Sequence, residues 1–458
     1  MDDDLITMTH VCRGWREILV SRSSLWTRLL GFKSFEKTRT YIERSQSSSL
    51  EIHIGSEYEM GFDYAFPLVI PHIRRLKSLT IHSPEVKHFH HCHMPLLEKL
   101  SLWIEDDMDL DSAFNGELPL LRELRLYGSF THLPHQNLAN LQIATLTLFC
   151  GITPLLDFFE SAPLLHTISL RYLIPNSSDA PPERIISLRH LKVFTLNLLS
   201  IFSPSTLLRH LHIPIGVSLF AEFGSCGGDS PFLHCLPTRS SNFGNLSHIT
   251  AVNLLLDSYS GCKHLRLIGP SGGLHVHATP EDDWGNSPSY AVDCGILRSL
   301  GNIVLSTVQR LVITSYQHPR ATEVEECPIF QTLSLLSNLR TLILTSCNNL
   351  PFVLSLNPQR NPSNLVLCSD MEELILYIDS PDQFYPKHLI KMARNRATRG
   401  AKLSAITLVD LGQHLPEKEV LKLREHVTHV EYRTGGASPD WDDVPGESSG
   451  RRMVQWEL

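Results

Sequence analysis

The chain has 458 residues, 42% hydrophobic and 19% charged, with a formal net charge of −8 and an isoelectric point near 6.3. That length exceeds one compact core, so it calls for several domains or a repeat stack whose core grows along its axis. The acidic balance, with no basic stripe, excludes nucleic acid as the main partner, because phosphate binding needs a clustered positive field.

No apolar run approaches the ~18 residues of a bilayer span and no signal segment opens the chain, so no membrane contact is expected. The 10 cysteines are scattered without a C-x-x-C pair, which fits free thiols in a reducing compartment. An intracellular protein, cytoplasmic or nuclear, is the expectation.

The first element is an amphipathic helix. Leu5, Met8, Cys12, Trp15 and Leu19 fall at steps of three and four on one stripe, widened by Val11 and Ile18, with Arg13, Arg16 and Glu17 opposite. A serine-rich break (Ser21, Ser23, Ser24) precedes Leu25-Trp26. A helix end at Tyr41-Ile-Glu-Arg-Ser45 and an apolar strand, Leu50-Glu-Ile-His-Ile54, follow. The order V-C-R-x-W, serine break, Leu-Trp resembles the second half of an F-box. Over the segment 1–55 the chain is similar to the large F-box-like family of mushroom-forming (basidiomycete) fungi, in which a leucine-rich, repeat-like region follows the F-box.

The resemblance implies that Val11, Cys12, Trp15, Leu25 and Trp26 belong to the adaptor-binding module. Cys12 and Trp15 are expected to build its core. The chain departs from the family at the start, where Met1-Asp-Asp-Asp4 stands and the Leu-Pro-x-Glu helix that contacts the Skp-family adaptor is missing. Either the reading frame begins upstream or the docking surface is shortened.

Beyond position 70 one phrase recurs, an apolar residue followed three and five positions later by two more. Copies are 97–102, 121–126, 143–148, 165–170, 208–213, 249–254, 339–344, 371–376 and 403–408. The last apolar positions of the early copies, Leu102, Leu126, Leu148 and Leu170, recur at a nearly constant step, which is a leucine-rich repeat period. Two apolar residues two apart face the same way, so each phrase predicts one short strand whose apolar face only stacking can bury. Pro154 to Ala162 reads as a helix with Leu155, Phe158 and Phe159 inward, ended before Pro163. The later steps, Leu344 to Leu376 and Leu376 to Leu408, are longer and leave room for a full helix.

Gly- and Ser-rich stretches near 215–245 and 269–293 read as insertions, because repeats resume after each. The segment 435–458 carries no periodicity and reads as a flexible tail. The expected organisation is α/β: a short helical F-box-like module (1–55), then an irregular leucine-rich-repeat-like solenoid (56–434) with one parallel strand per repeat and helices or loops outside.

Two patterns mimic chemistry. Gly269-Pro-Ser-Gly-Gly273 has the letters of a nucleophile elbow around Ser271, but Leu274-His-Val-His277 alternates like a strand where the elbow needs a helix. Lys87 to Met94 holds four histidines and a cysteine without the second ligand pair that zinc requires, and reads as a polar loop. No catalytic residue, cofactor or metal is expected.

Binding in a repeat stack falls on side chains flanking the buried strand positions. These are Ser101 and Trp103, Arg125 and Tyr127, Thr147 and Phe149, and Ser169 and Arg171. Trp103, Arg125, Tyr127, Phe149 and Arg171 form the candidate target-binding row, since aromatics and Arg dominate interface energetics. The family resemblance implies a substrate-recruiting subunit of an SCF-type cullin-RING ubiquitin ligase, with a Skp-family adaptor and an unknown target protein as partners. The alternatives are a non-ligase repeat scaffold with a relic F-box and a hydrolase using Ser271.

Overall fold

The computed structural model describes residues 2–31, 34–55, 66–82, 89, 92–109, 118–134, 138–149, 151–171, 184–198, 207–223, 242–256, 263–270, 272–278, 305–315, 328–345, 350–360, 365–378, 385–410 and 417–434. They form two compact units, the first holding the described residues from 2 to 245 together with 272–274, the second those from 246 to 270 and 275 to 434. Both are mixed α/β with mostly parallel strands.

The chain opens with α1 (Asp2–Met8) and α2 (Arg13–Ser21), not with one continuous helix. The break has a local cause. Thr9 turns its hydroxyl back onto the Ile6 carbonyl at 2.6 Å, Arg16 Nε donates to the Thr9 carbonyl at 2.8 Å, and Cys12 is extended (φ −156°, ψ 168°). Cys12 thus caps α2, its sulfur accepting from the Trp15 N–H at 3.5 Å. A 3-10 turn (Ser23–Trp26), β1 (Arg28–Leu30) and α3 (Phe35–Ser45) follow. α3 ends at Ser45, as the sequence predicts.

The module's core is Trp26, which is fully buried. Its Nε1 donates to the Leu19 carbonyl at 2.8 Å, Tyr41 meets it edge-on with centroids 5.0 Å apart, and the Arg44 guanidinium lies 4.4 Å from the ring centroid. β1 then pairs in parallel with β2 (Leu50–Ile54), which ties the helices to the sheet.

In the first unit β2 is followed by β3 (Leu76–His82), β4 (Lys99–Asp109), β5 (Glu123–His132), β6 (Ile143–Phe149), α4 (Ile152–Ser161), β7 (Thr167–Arg171), β8 (Ile186–Ser187), β9 (Val193–Leu198), β10 (Leu211–His212) and β11 (Ser218–Phe223). Strands β1 to β7, then β9 and β11, lie side by side in that order, every pair parallel; β8 and β10 form a separate parallel pair. α4 starts at Ile152, just ahead of the predicted Pro154, and buries Leu155, Leu156, Phe158 and Phe159.

Several strands are introduced by a tight turn closed between apolar ends. Leu121 N–H donates to the Leu118 carbonyl at 3.1 Å, Leu141 to Leu138 at 2.9 Å and Leu191 to Leu188 at 3.0 Å. All six leucines are buried, and burying a leucine stabilises by about 1.5–3 kcal/mol.

The register corrects one repeat. Leu126 faces Leu146, not Leu148, so the inward residues of β6 are Ala144 and Leu146, preceded by Leu141 in the turn before the strand, and all three are fully buried. The 143–148 phrase is therefore set two positions late. The aligned core positions are Leu102, Leu126, Leu146 and Leu170, so the step into β6 is shorter than its neighbours and the spacing is less regular than the sequence suggests. The 208–213 copy also lies outside the main sheet, because Leu211 pairs with Ile186 in β8. The strand beside β7 is Val193–Leu198, whose inward residues are Phe194 and Leu196.

The second unit holds β12 (Ala251–Leu256), β13 (Lys263–Ile268), most of β14 (Gly273–Ala278), β15 (Arg310–Ser315), α5 (Pro328–Leu335), β16 (Thr341–Thr345), α6 (Leu350–Ser355), β17 (Glu373–Ile378), α7 (Pro386–Thr398), β18 (Ala405–Asp410), α8 (Glu417–Arg424) and β19 (His429–Thr434). β12, β15, β16, β17, β18 and β19 are parallel neighbours in that order, and β13 runs antiparallel to β12. The copies at 339–344, 371–376 and 403–408 sit in β16, β17 and β18 with their apolar positions buried.

A charged residue lies deep in this unit. Arg396 of α7 is fully buried, and its two terminal nitrogens donate to the carbonyls of Leu367 and Cys368 at 2.7 and 2.8 Å. That turn needs the support, because Cys368 holds a positive φ of 48°. Desolvation lowers the Arg396 pKa and pushes the Cys368 thiol up to about 12.

Candidate functional site: two exposed faces

The helical module leaves apolar side chains uncovered. Val11 is 67% exposed, Ile18 63% and Trp15 51%, with Leu25, Met8 and Val20 also exposed. Trp15 and Ile18 are three apart on α2 and so share a face; Gly14 beside them has open space where a Cβ would stand. Leu19, next on the helix, turns inward and is buried.

Cys12 and Trp15, expected in the module's core, therefore lie on its surface; the core position belongs to Trp26. The helix break explains the change. Leu5 and Met8 are rotated off the stripe of Trp15 and Leu19 once the segment 9–12 leaves the helix, so the single stripe read from the sequence becomes two faces.

The second exposed face is the outward side of the first unit's sheet. Cross-strand register aligns His82, Trp103, Tyr127, Thr147, Arg171, Asn197 and Glu222 in one row. Trp103, 49% exposed, stacks on Tyr127 with centroids 4.8 Å apart and planes 16° from parallel. His82 follows at 5.3 Å and His53 at 5.2 Å beyond it, a ladder of four rings across four strands. Burial lowers the pKa of both histidines, and the charge of His53 lowers that of His82 further.

The structure thus brings Trp103, Tyr127 and Arg171 into one row and places Arg125 in the next, where it pairs with Glu123 at 2.7 Å. The register shift in β6 puts Thr147, not Phe149, beside Tyr127. Phe149 pairs with Ser129 one step outward, and its side chain lies outside the described residues. The ring ladder was missed in sequence because His53 and His82 carry no motif and come from separate strands, brought together only by the β2–β3 pairing.

Among the described residues, Thr147 Oγ1, Ser169 Oγ and Asn197 Oδ1 are buried and find no hydrogen-bond partner, although Asn197 Nδ2 donates to Glu222 at 2.7 Å.

Elsewhere the described residues offer less chemistry. A polar cleft of about 490 Å³ in the second unit is lined by His248, Thr250, Gln309, Asn338, Arg340 and Asp370 among others. Its Thr250 and Asn338 side chains are already spent on backbone carbonyls. Ser271 lies outside the described residues, and Gly272 is followed by β14, a strand where a nucleophile elbow needs a helix. Of the histidine-rich run, only Phe89, Cys92, His93 and Met94 are described. The tail 435–458, the stretch 224–241 of the first insertion and 279–293 of the second also lie outside the described residues. Among the described residues no helix is long and apolar enough to cross a membrane.

Neither a known family model nor a curated protein sequence matches the chain.

Proposed function

We propose that the protein is a substrate-recruiting subunit of an SCF-type ubiquitin ligase, whose helical module docks a Skp-family adaptor and whose leucine-rich-repeat-like solenoid holds a target. The observation that carries this reading is the exposed apolar surface of Met8, Val11, Trp15, Ile18 and Leu25 on a module whose own core is already closed by Trp26. Exposed apolar side chains this dense mark an interaction site. Val11, Cys12, Trp15 and Leu25 match the F-box motif and belong to that surface, whereas Trp26 belongs to the framework beneath it.

A second reading, a repeat scaffold in which the module only caps the sheet, is favoured by the β1–β2 pairing. One experiment separates the two: a pull-down of the full chain with purified Skp-family adaptor, comparing Trp15→Ala/Ile18→Asp with the unaltered protein. The ligase reading expects binding by the unaltered chain and its loss in the variant at unchanged circular dichroism. No binding by the unaltered chain leaves the capping role.

A further inference from the structure

We infer that the polar cleft of the second unit is a binding site for a free α-amino acid with a polar side chain. It stands apart from the ligase reading, because no residue of the helical module or of the ring ladder takes part. The cleft, of about 490 Å³, lies where the parallel strands β12, β15, β16 and β17 begin, a volume that suits a small ligand. Its walls follow from the repeat. Gln309 N–H donates to the Thr250 carbonyl, Arg340 N–H to that of Gln309 and Glu372 N–H to that of Arg340, each at 2.8 Å. Thr250, Gln309 and Arg340, each just ahead of its strand, are thereby set in one row.

Thr307, Asn338 and Asp370 form the second row. Each is the third residue of a tight turn, closed by Val308 N–H on the Leu305 carbonyl, Leu339 on Leu336 and Met371 on Cys368. Parallel strands lie about 4.8 Å apart, so neighbours in a row are one such step from each other. The threonines are spent: Thr250 and Thr307 donate to the carbonyls of Ile268 and Ile249 at 3.4 and 2.7 Å. Gln309 and Arg340 remain as donors on one side, and Asn338 and Asp370 as acceptors on the other. Asn338 Nδ2 donates to the Ser306 carbonyl, which leaves its Oδ1, and Asp370 Oδ1 accepts from Ser369 Oγ at 3.1 Å, which leaves its Oδ2.

The charges select the ligand. Arg340 and Asp370 are both exposed and line the cleft from adjoining repeats, and the carboxylate beside Arg340 is that of Glu372, at 3.9 Å. That distance is beyond hydrogen bonding, both side chains are about 60% exposed, and such a surface pair is weak. The guanidinium fork can therefore take a carboxylate while Asp370 takes an ammonium. A lone anion would meet Asp370 and Glu372, and a lone cation would meet Arg340, so the group that satisfies the cleft carries both charges, as the α-ammonium and α-carboxylate of an amino acid do. The Gln309 amide and Asn338 Oδ1 suit a side chain that donates and accepts, such as a carboxamide. Among the described lining residues Pro270 alone is apolar, so an aliphatic side chain gains little.

Ligand-detected NMR on the full-length chain tests the site, with L-glutamine as the probe. Glutamine is expected to bind with a dissociation constant on the order of 1 mM, and L-leucine several-fold more weakly. N-acetyl-L-glutamine lacks the ammonium and L-glutaminamide lacks the carboxylate, so each is expected to bind about 5-fold or more weakly than glutamine. Variants match the derivatives. Arg340→Gln is expected to bind glutamine and glutaminamide alike, and Asp370→Asn to bind glutamine and N-acetylglutamine alike. General damage to the fold does not reproduce that pairing, and both variants should keep the unfolding midpoint, since both side chains are exposed.

Failure of glutamine to bind at about 10 mM, ten times the expected constant, overturns the inference. So does equal binding of leucine or of either derivative to the unaltered protein, or a variant that still tells glutamine from its matched derivative. The derivatives act on the unaltered chain, so the test holds even where a substitution disturbs folding. Adaptor capture is a separate measurement, and the outcome here leaves it as it stands.

Discussion

The two units are built from the same phrase but differ in what lies beyond the buried leucines. In the first unit the residues between the inward positions of β4, β5 and β6 are Ser101, Arg125 and Thr145, which alternate with the core and are half-buried or exposed, while Ser169 of β7 is buried. In the second, the equivalent residues are Val312, Ile343 and Thr407, at 7%, 5% and 5% exposure, and the next outward positions Thr345 and Val409 are at 0% and 4%. Strands buried on both faces read as unbroken apolar runs, and Leu311-Val-Ile313 and Leu342-Ile-Leu344 are such runs. The connections differ as well. In the first unit several strands follow a described tight turn, as at Leu118–Leu121 and Leu138–Leu141, whereas α5, α6, α7 and α8 stand between the parallel strands of the second and lengthen the steps between its core leucines, as from Leu376 to Leu408. The outward side is therefore covered more fully at β15, β16 and β18 than at β4, β5 and β6.

The largest way to break this contrast is Arg396→Met. The substitution keeps the volume of the stem but leaves the Leu367 and Cys368 carbonyls unpaired in the core, at an expected cost of about 3–5 kcal/mol. Urea unfolding followed by circular dichroism measures it; a change under about 1 kcal/mol would show that the turn at Cys368 holds its positive φ without the guanidinium.

A matched pair sharpens the contrast next. Ile343 and Arg125 occupy the same place in their repeats, so Ile343→Ala is expected to cost about 2–4 kcal/mol and Arg125→Ala under about 0.5 kcal/mol. Equal costs in thermal or urea unfolding would mean that the outward side of the first unit is as much a core as that of the second.

Much of this was legible in the chain. Residues two apart that are both apolar, such as Leu100 and Leu102 or Leu374 and Leu376, define an inward face wherever the partner strand lies. The β6 register was not legible, because Ile143 and Leu148 flank a true core position filled by Ala144, too small to mark itself. The strand 193–198 was hidden in the same way by Phe194 standing where leucine is the rule. The amphipathic stripe from Leu5 to Leu19 misled for a different reason: periodicity counts residues as if the helix were unbroken, and the Thr9 and Arg16 side-chain bonds that end α1 lie below its resolution. Exposure of Trp15 against burial of Trp26 depends on tertiary contacts with Tyr41 and Arg44, which no local pattern encodes.

A smaller effect is expected where the second unit leaves its longest described helix. Gly400 follows α7 at φ 80°, a left-handed position, and open space surrounds the place of a Cβ. Gly400→Ala therefore meets backbone strain without a clash and is expected to cost about 1 kcal/mol, against a gain of up to about 0.5–1 kcal/mol for Gly14→Ala, which lies in α2 with an unexceptional φ and open space at its Cβ. Thermal unfolding of the two variants side by side reads the difference.

The gentlest probe acts on the open face alone. His53 and His82 have pKa values lowered by burial, so the folded protein holds their protons less tightly than the unfolded chain does. Above the unfolded pKa of about 6.5 both states are neutral at these positions and they contribute nothing to the pH dependence. As pH falls through 6.5 towards the lower folded values, the unfolded chain takes up protons first and stability declines. Protonating both rings, 5.2 Å apart, adds repulsion within the ladder that ends on Trp103. Unfolding midpoints of the full chain and of His82→Gln, taken from pH 7.5 to 5.5, are expected to diverge only below 6.5, with the variant declining less. Parallel curves would assign the acid sensitivity to groups outside the ladder and leave the stacked face indifferent to pH.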